Sequence, residues 1–158
     1  MEKVYVIEAK LINGPTGKMP SVSRTIAVPE QFTLYSLAYE IVDSFNFYFD
    51  HCFGFYNHKG LARDSTEIYE LFVDLEQAKE LNREPFVGNP NASISGVYGS
   101  LLYNVFDKVG KKMYFLFDYG DGWIFELKFL RVEDKDRRKK YPRIVAKKNR
   151  APKQYRTC

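Results

Sequence analysis

Two carboxylates and an imidazole, Asp118, Asp121 and His51, are the side chains of this sequence best suited to reactive work. Such a set binds a divalent cation or exchanges protons. With Tyr119 and Trp123 they make up the candidate pocket, and a metal-dependent hydrolase at Asp118, Asp121 and His51 is one reading of it. A plainer reading stands beside it. An Asp in a Gly-Asp-Gly turn ordinarily bonds its own backbone, and His51, next to Phe53 and Phe55, fits a half-buried structural histidine. There are no ligand-spaced His or Cys partners, so neither a metal nor a cofactor is expected. Nucleophile elbows, Walker-type phosphate loops and a GxGxxG opening a helix are all missing. A strand rather than a helix follows Gly120-Asp121-Gly122, which excludes an anion cradle at a helix start there.

The second chemical feature is charge. Up to Asp136 the chain holds 14 Lys and Arg against 20 Asp and Glu, whereas Arg137 to Cys158 holds 10 basic residues and no acid. Arg137, Arg138, Lys139, Lys140, Arg143, Lys147, Lys148 and Arg150 are the candidate nucleic-acid contacts, with Tyr141 or Tyr155 placed to stack on bases. The competing reading is a tail docked on its own acidic body, its prolines fixing an extended path.

These residues need a frame, and the pattern predicts one. Lys112 to Val132 reads as a hairpin, since Met113, Phe115, Phe117 and Tyr119 alternate before the turn and Trp123, Phe125, Leu127 and Phe129 after it. A three-residue loop with Gly122 left-handed puts Tyr119 opposite Trp123 and Phe117 opposite Phe125. Lys3 to Ile12 and Val22 to Val28 read as an antiparallel pair around an exposed Asn13 to Pro20 loop. Helical spacing of Leu34, Leu37, Ala38, Ile41, Val42 and Phe45 predicts a helix over Thr33 to Asn46, capped by Thr33. His51 to Tyr56 reads as a strand, Glu67 to Val73 as a strand, Leu75 to Asn82 as a short helix and Ser95 to Phe106 as a helix weakened by Gly96 and Gly99. Pro85 to Pro90 reads as a loop, and beyond Val132 the pattern defines no element.

At 158 residues the chain suits one domain able to bury a core without staples. Its 13 Phe and 12 Tyr favour β structure. Cys52 and Cys158 form no disulfide framework, and no apolar run nears the roughly 18 residues of a membrane span. A soluble, cytoplasmic protein is expected, without a membrane partner.

Three stretches together resemble the plasmid pRiA4b ORF-3-like family, which includes passenger proteins of insertion sequences. The first is Pro20, Arg24, Val28 and Pro29, followed by His51 and Phe55. The second is the run Phe117, Asp118, Tyr119, Gly120, Asp121, Gly122 and Trp123. The third is Tyr141, Pro142 and Arg143 with Ala151, Pro152 and Tyr155. Ser23, Ile124-Phe125, Ile144 and Lys153 depart from the pattern, standing where the family often has Trp, an acid-His pair, Cys and an acid. Metal or proton chemistry carried by those positions is therefore not expected here. The resemblance implies an α+β fold with a mainly antiparallel sheet, and it brings no established activity.

The expectation is one α+β domain over residues 1–158: a twisted, mainly antiparallel sheet with two or three helices packed on it, the Lys112–Val132 hairpin at its centre, and a basic segment at 137–158. Its expected work is binding of a protein or small-molecule ligand near Trp123, without catalysis. Weak non-specific nucleic-acid binding by the basic segment is the alternative.

Overall fold

The computed structural model describes residues 2–79 and 89–155. Its strands are β1 (Lys3–Gly14), β2 (Gly17–Pro29), β3 (Phe53–Tyr56), β4 (Glu67–Glu70), β5 (Ser93–Ser95), β6 (Lys112–Phe117), β7 (Trp123–Asp134) and β8 (Arg143–Lys148). They form one sheet in the order β5-β4-β3-β6-β7-β1-β2-β8, antiparallel except between β4 and β5. Three helices accompany it: α1 (Leu34–Ser44), α2 (Leu71–Lys79) and α3 (Leu102–Val105). The protein is thus α+β, as expected. No helix among the described residues is long and apolar enough to cross a membrane.

Period-two patterning puts Ile7, Ala9 and Leu11 of β1, Val22, Ile26 and Val28 of β2, and Trp123, Phe125, Leu127 and Phe129 of β7 into one core. Leu34, Leu37, Ala38, Ile41 and Val42 of α1 cover it. The helix starts at its predicted cap, where Thr33 Oγ1 accepts the Ser36 N–H at 3.1 Å. Smaller apolar clusters lie at Val4, Val6 and Ala27 and at Tyr56, Ile68 and Leu116.

The register of β6 and β7 differs from the expected one by two residues: Phe117 faces Trp123 and Phe115 faces Phe125. The cause is Asp118. It takes φ +64°, and its Oδ1 accepts the Gly120 and Asp121 N–H groups at 3.1 and 3.3 Å. The ladder therefore stops at Phe117, and the loop spans five residues with Gly122 left-handed at φ +69°. A two-residue shift preserves which face each side chain takes.

Other boundaries moved for local reasons. No open loop separates β1 from β2, because both strands run on to Gly14 and Gly17, and an irregularity after Leu11 accommodates Pro20. The strand predicted to reach Val73 ends at Glu70, and α2 begins at once; the predicted helix beyond Lys79 and residues 85–88 of the predicted loop lie outside the described residues. The Ser95–Phe106 helix shrinks to α3, since the Val97 N–H is taken by Asp74 Oδ2 at 2.7 Å. Beyond Val132, β7 continues to Asp134 and β8 pairs with β2. An edge strand with mostly exposed side chains has no apolar alternation by which to find it.

Candidate functional site

At one end of the sheet three segments enclose a groove of about 440 Å³. The β1–β2 turn contributes Pro15 and Thr16 and the start of β2 Met19, the β6–β7 loop contributes Asp121 and the start of β7 Trp123, and the C-terminal segment contributes Pro152, Lys153, Gln154 and Tyr155. Trp123 is 2 % exposed and packs on Phe47 at 4.7 Å between ring centroids. Its other neighbour is backbone: a Cβ on Gly14 would lie 2.8 Å from Trp123 Cζ3, so glycine there makes room for the indole. The indole N–H is buried with no acceptor among the described residues. A second depression, near Glu2, Lys135, Asp136, Arg137 and Lys139, is lined by charged side chains alone.

The C-terminal segment is bound to the body by specific bonds. Arg24, 4 % exposed, donates through Nε to the Ser44 carbonyl at 2.9 Å and through Nη1 to the Ser23 and Asn149 carbonyls at 2.7 and 3.0 Å. Its guanidinium lies over the Phe45 ring, and burial lowers its pKa. Asn149 Nδ2 donates to the Ser21 carbonyl. Gln154 behaves like a strand partner: its Oε1 accepts the Tyr48 N–H at 2.6 Å and its Nε2 donates to the Tyr48 carbonyl at 3.1 Å.

Beside the groove lies a polar cluster. Tyr155 donates its hydroxyl proton to Asp50 Oδ2 at 2.6 Å, so His51 Nε2, 2.8 Å from the same oxygen, is the donor to it. Asp118 Oδ2 and Asp50 Oδ1 stand 3.3 and 3.5 Å from that nitrogen. Desolvation and the Asp50 carboxylate raise the Tyr155 pKa, which keeps the hydroxyl a donor.

The five predicted pocket residues therefore divide. Asp121 and Trp123 line the groove. His51 and Asp118 meet in the polar cluster, joined to the groove through Tyr155. Tyr119 leaves the group: its hydroxyl is 2.8 Å from that of Tyr56, which also bonds Glu70, and its ring packs on Phe72. Burial raises the pKa of both tyrosines, the neighbouring Glu70 adding to it. Among the described residues no three His, Cys, Asp or Glu side chains are arranged to hold a metal ion.

Sequence reasoning missed Asp50, Gln154, Met19 and the anchoring role of Arg24. Adjacency to His51 was a signal for Asp50, whereas nothing marked Gln154. The predicted nucleic-acid contacts at Arg137, Arg138, Lys139, Lys140, Lys147, Lys148 and Arg150 are exposed, with Arg143 half-buried. Tyr141 is instead half-buried against Val4, Val6 and Ala27.

A mainly antiparallel sheet that keeps its C-terminal strand as an edge and builds a groove at two turns and a following segment defines an α+β sheet domain with a loop-lined site. The chain belongs to the plasmid pRiA4b ORF-3-like protein family, whose model matches residues 3–154. Among solved structures it is similar to the crystal structure of a protein of unknown function, MM3350, from Methanosarcina mazei Go1. The TM-score is 0.64 at 17 % identity, over 93 % of this chain and 70 % of that one, a likeness of fold. The curated proteins include no match.

Proposed function

We propose that this protein is a non-enzymatic binding domain and that the groove beside Trp123 takes a small ligand. The observation that carries the reading is the groove itself, about 440 Å³ in volume and walled in part by Trp123. The groove is within the usual size of small-molecule sites and pairs an apolar surface of Trp123, Met19, Pro15 and Pro152 with Asp121 and Lys153. A planar, partly apolar molecule with one hydrogen-bond acceptor suits it.

Trp123 is the one tryptophan of the chain, so its emission reports on the groove directly. The test titrates planar heteroaromatic acids and amides while following emission and melting temperature, in the native protein and in Thr16→Tyr, which fills the groove mouth. Saturable quenching with a rise in melting temperature, both lost in Thr16→Tyr, is expected. A panel without effect on either readout defeats the reading. Metal-dependent hydrolysis abolished by Asp118→Asn would defeat its non-enzymatic half.

A further inference from the structure

The basic segment docks without using its charges. Backbone pairing with β2, the Arg24 and Asn149 bonds and Gln154 hold it in place. Against this, Arg138 and Lys139 pair with Asp136 in their own turn, and Arg143 lies in the field of the same carboxylate. Arg137, Lys140, Lys147, Lys148 and Arg150 make no ion pair among the described residues, and all five are exposed. Among the described residues the acidic body pairs none of them, although it carries an excess of carboxylates.

We propose that these five cations form a docking surface for the phosphate backbone of nucleic acid along the β8 edge. Charge complementarity is the argument. The cations sit on an ordered strand and its flanking turns, so binding orders no tail. A strand advances about 3.3 Å per residue, so β8 with its flanks covers a few successive phosphates. Lysines on an edge strand also discourage pairing with a second copy, a role that one or two charges fill. Neither tyrosine of the segment presents its hydroxyl freely to a base. Tyr141 is packed on the Val4 cluster and its hydroxyl accepts the Asp136 N–H, while Tyr155 is held by Asp50 and His51. Tyr141 is withdrawn from stacking, and contact through the five cations is to phosphates, indifferent to sequence.

Fluorescence anisotropy on two unrelated labelled duplexes, and on a single strand of equal length, tests this at several salt concentrations. Native protein should bind both duplexes alike, with log affinity falling against log salt at a slope of about −4.5, from roughly 0.9 per phosphate contact. Changing Arg137, Lys140, Lys147, Lys148 and Arg150 together to Gln should abolish binding while circular dichroism and melting stay native. The smaller K147Q/K148Q variant should lower the slope by about 2, and serves if the fivefold variant folds poorly. Absent binding at low salt overturns the proposal, as does a K147Q/K148Q variant with native affinity and slope. Tighter binding to vesicles of anionic lipid than to duplex, or a clear preference for the single strand, overturns it too. The groove reading is independent of every one of these outcomes.

Discussion

His51 Nε2 lies 2.8 Å from the Tyr155 hydroxyl, a bond spanning 104 residues that ties the C-terminal segment to the approach of β3. Tyr155 in turn donates to Asp50, so one phenol bridges a histidine and a carboxylate. Tyr155→Phe removes both bonds and keeps the ring. Because Tyr155 is 43 % exposed, water compensates in part, and a loss of about 1 kcal/mol in urea unfolding is expected. Cleavage by a protease within residues 149–155 should speed up in the variant. Unchanged cleavage would mean that the β8 pairing and the Arg24, Asn149 and Gln154 bonds hold the segment without Tyr155.

Asp118 serves its own loop first and His51 second. Asn tolerates its left-handed φ of +64° and keeps an oxygen for the Gly120 and Asp121 N–H groups, so Asp118→Asn should cost under about 1 kcal/mol. Asp118→Ala loses the loop bonds as well and should cost about 2 kcal/mol. Chemical denaturation of the two variants separates the roles. Equal losses would assign the stability to the His51 contact instead.

The sequence made the core legible because alternation and helical spacing survive wherever one face is buried. That logic located α1, its Thr33 cap and the faces of β6 and β7. It failed where a single polar side chain decides. Asp118 ended β6 two residues early by giving its carboxylate to backbone N–H groups, and Asp74 drew Val97 out of a predicted helix in the same way. β8 was invisible because an exposed edge strand needs backbone partners rather than apolar side chains. The site was half legible for the same reason: Asp121 in the hairpin loop and Trp123 just after it lie where the pattern pointed, but Gln154 and Asp50 are joined only by tertiary bonds.

Trp123 and Gly14 test the groove wall from its two sides. Truncating a buried aromatic of this size costs about 3 to 5 kcal/mol, so Trp123→Ala should melt far below the native protein. Gly14→Ala pushes a methyl group into the indole and should cost about 1 to 3 kcal/mol while shifting the Trp123 emission maximum. A Gly14→Ala protein with native melting and emission would show that the indole can move freely.

Arg24 replaces an ion pair with carbonyls, and that makes its removal expensive. Arg24→Leu leaves the Ser44 and Asn149 carbonyls without their donor and should cost about 3 kcal/mol. Arg24→Lys keeps the charge but not the fork that reaches both, so an intermediate loss is expected. A chain ending at Asp136 removes the β8 pairing as well and should be less stable than either variant. The measure is the urea midpoint of the three, and a truncated chain as stable as the native one would make the segment an appendage.

Alkali should unfold the protein through its buried tyrosines. Burial raises the pKa of Tyr56, and it pushes the half-buried Tyr69 up to about 12, with nearby carboxylates adding to each. A group whose folded pKa stands above its unfolded value binds its proton more tightly in the native state. Its contribution is complete below the unfolded tyrosine value of about 10 and is lost as pH climbs through the folded value. The urea midpoint should therefore fall steadily above pH ~10. Phenolate absorbance at 295 nm should show a late step coincident with the loss of circular dichroism. Tyr56→Phe cannot ionise and should flatten that fall, although it gives up the bond to Glu70 at neutral pH. A midpoint that holds level from about pH 9 to pH 11, or a phenolate curve that is complete while circular dichroism is still native, would show that these hydroxyls reach water in the native fold.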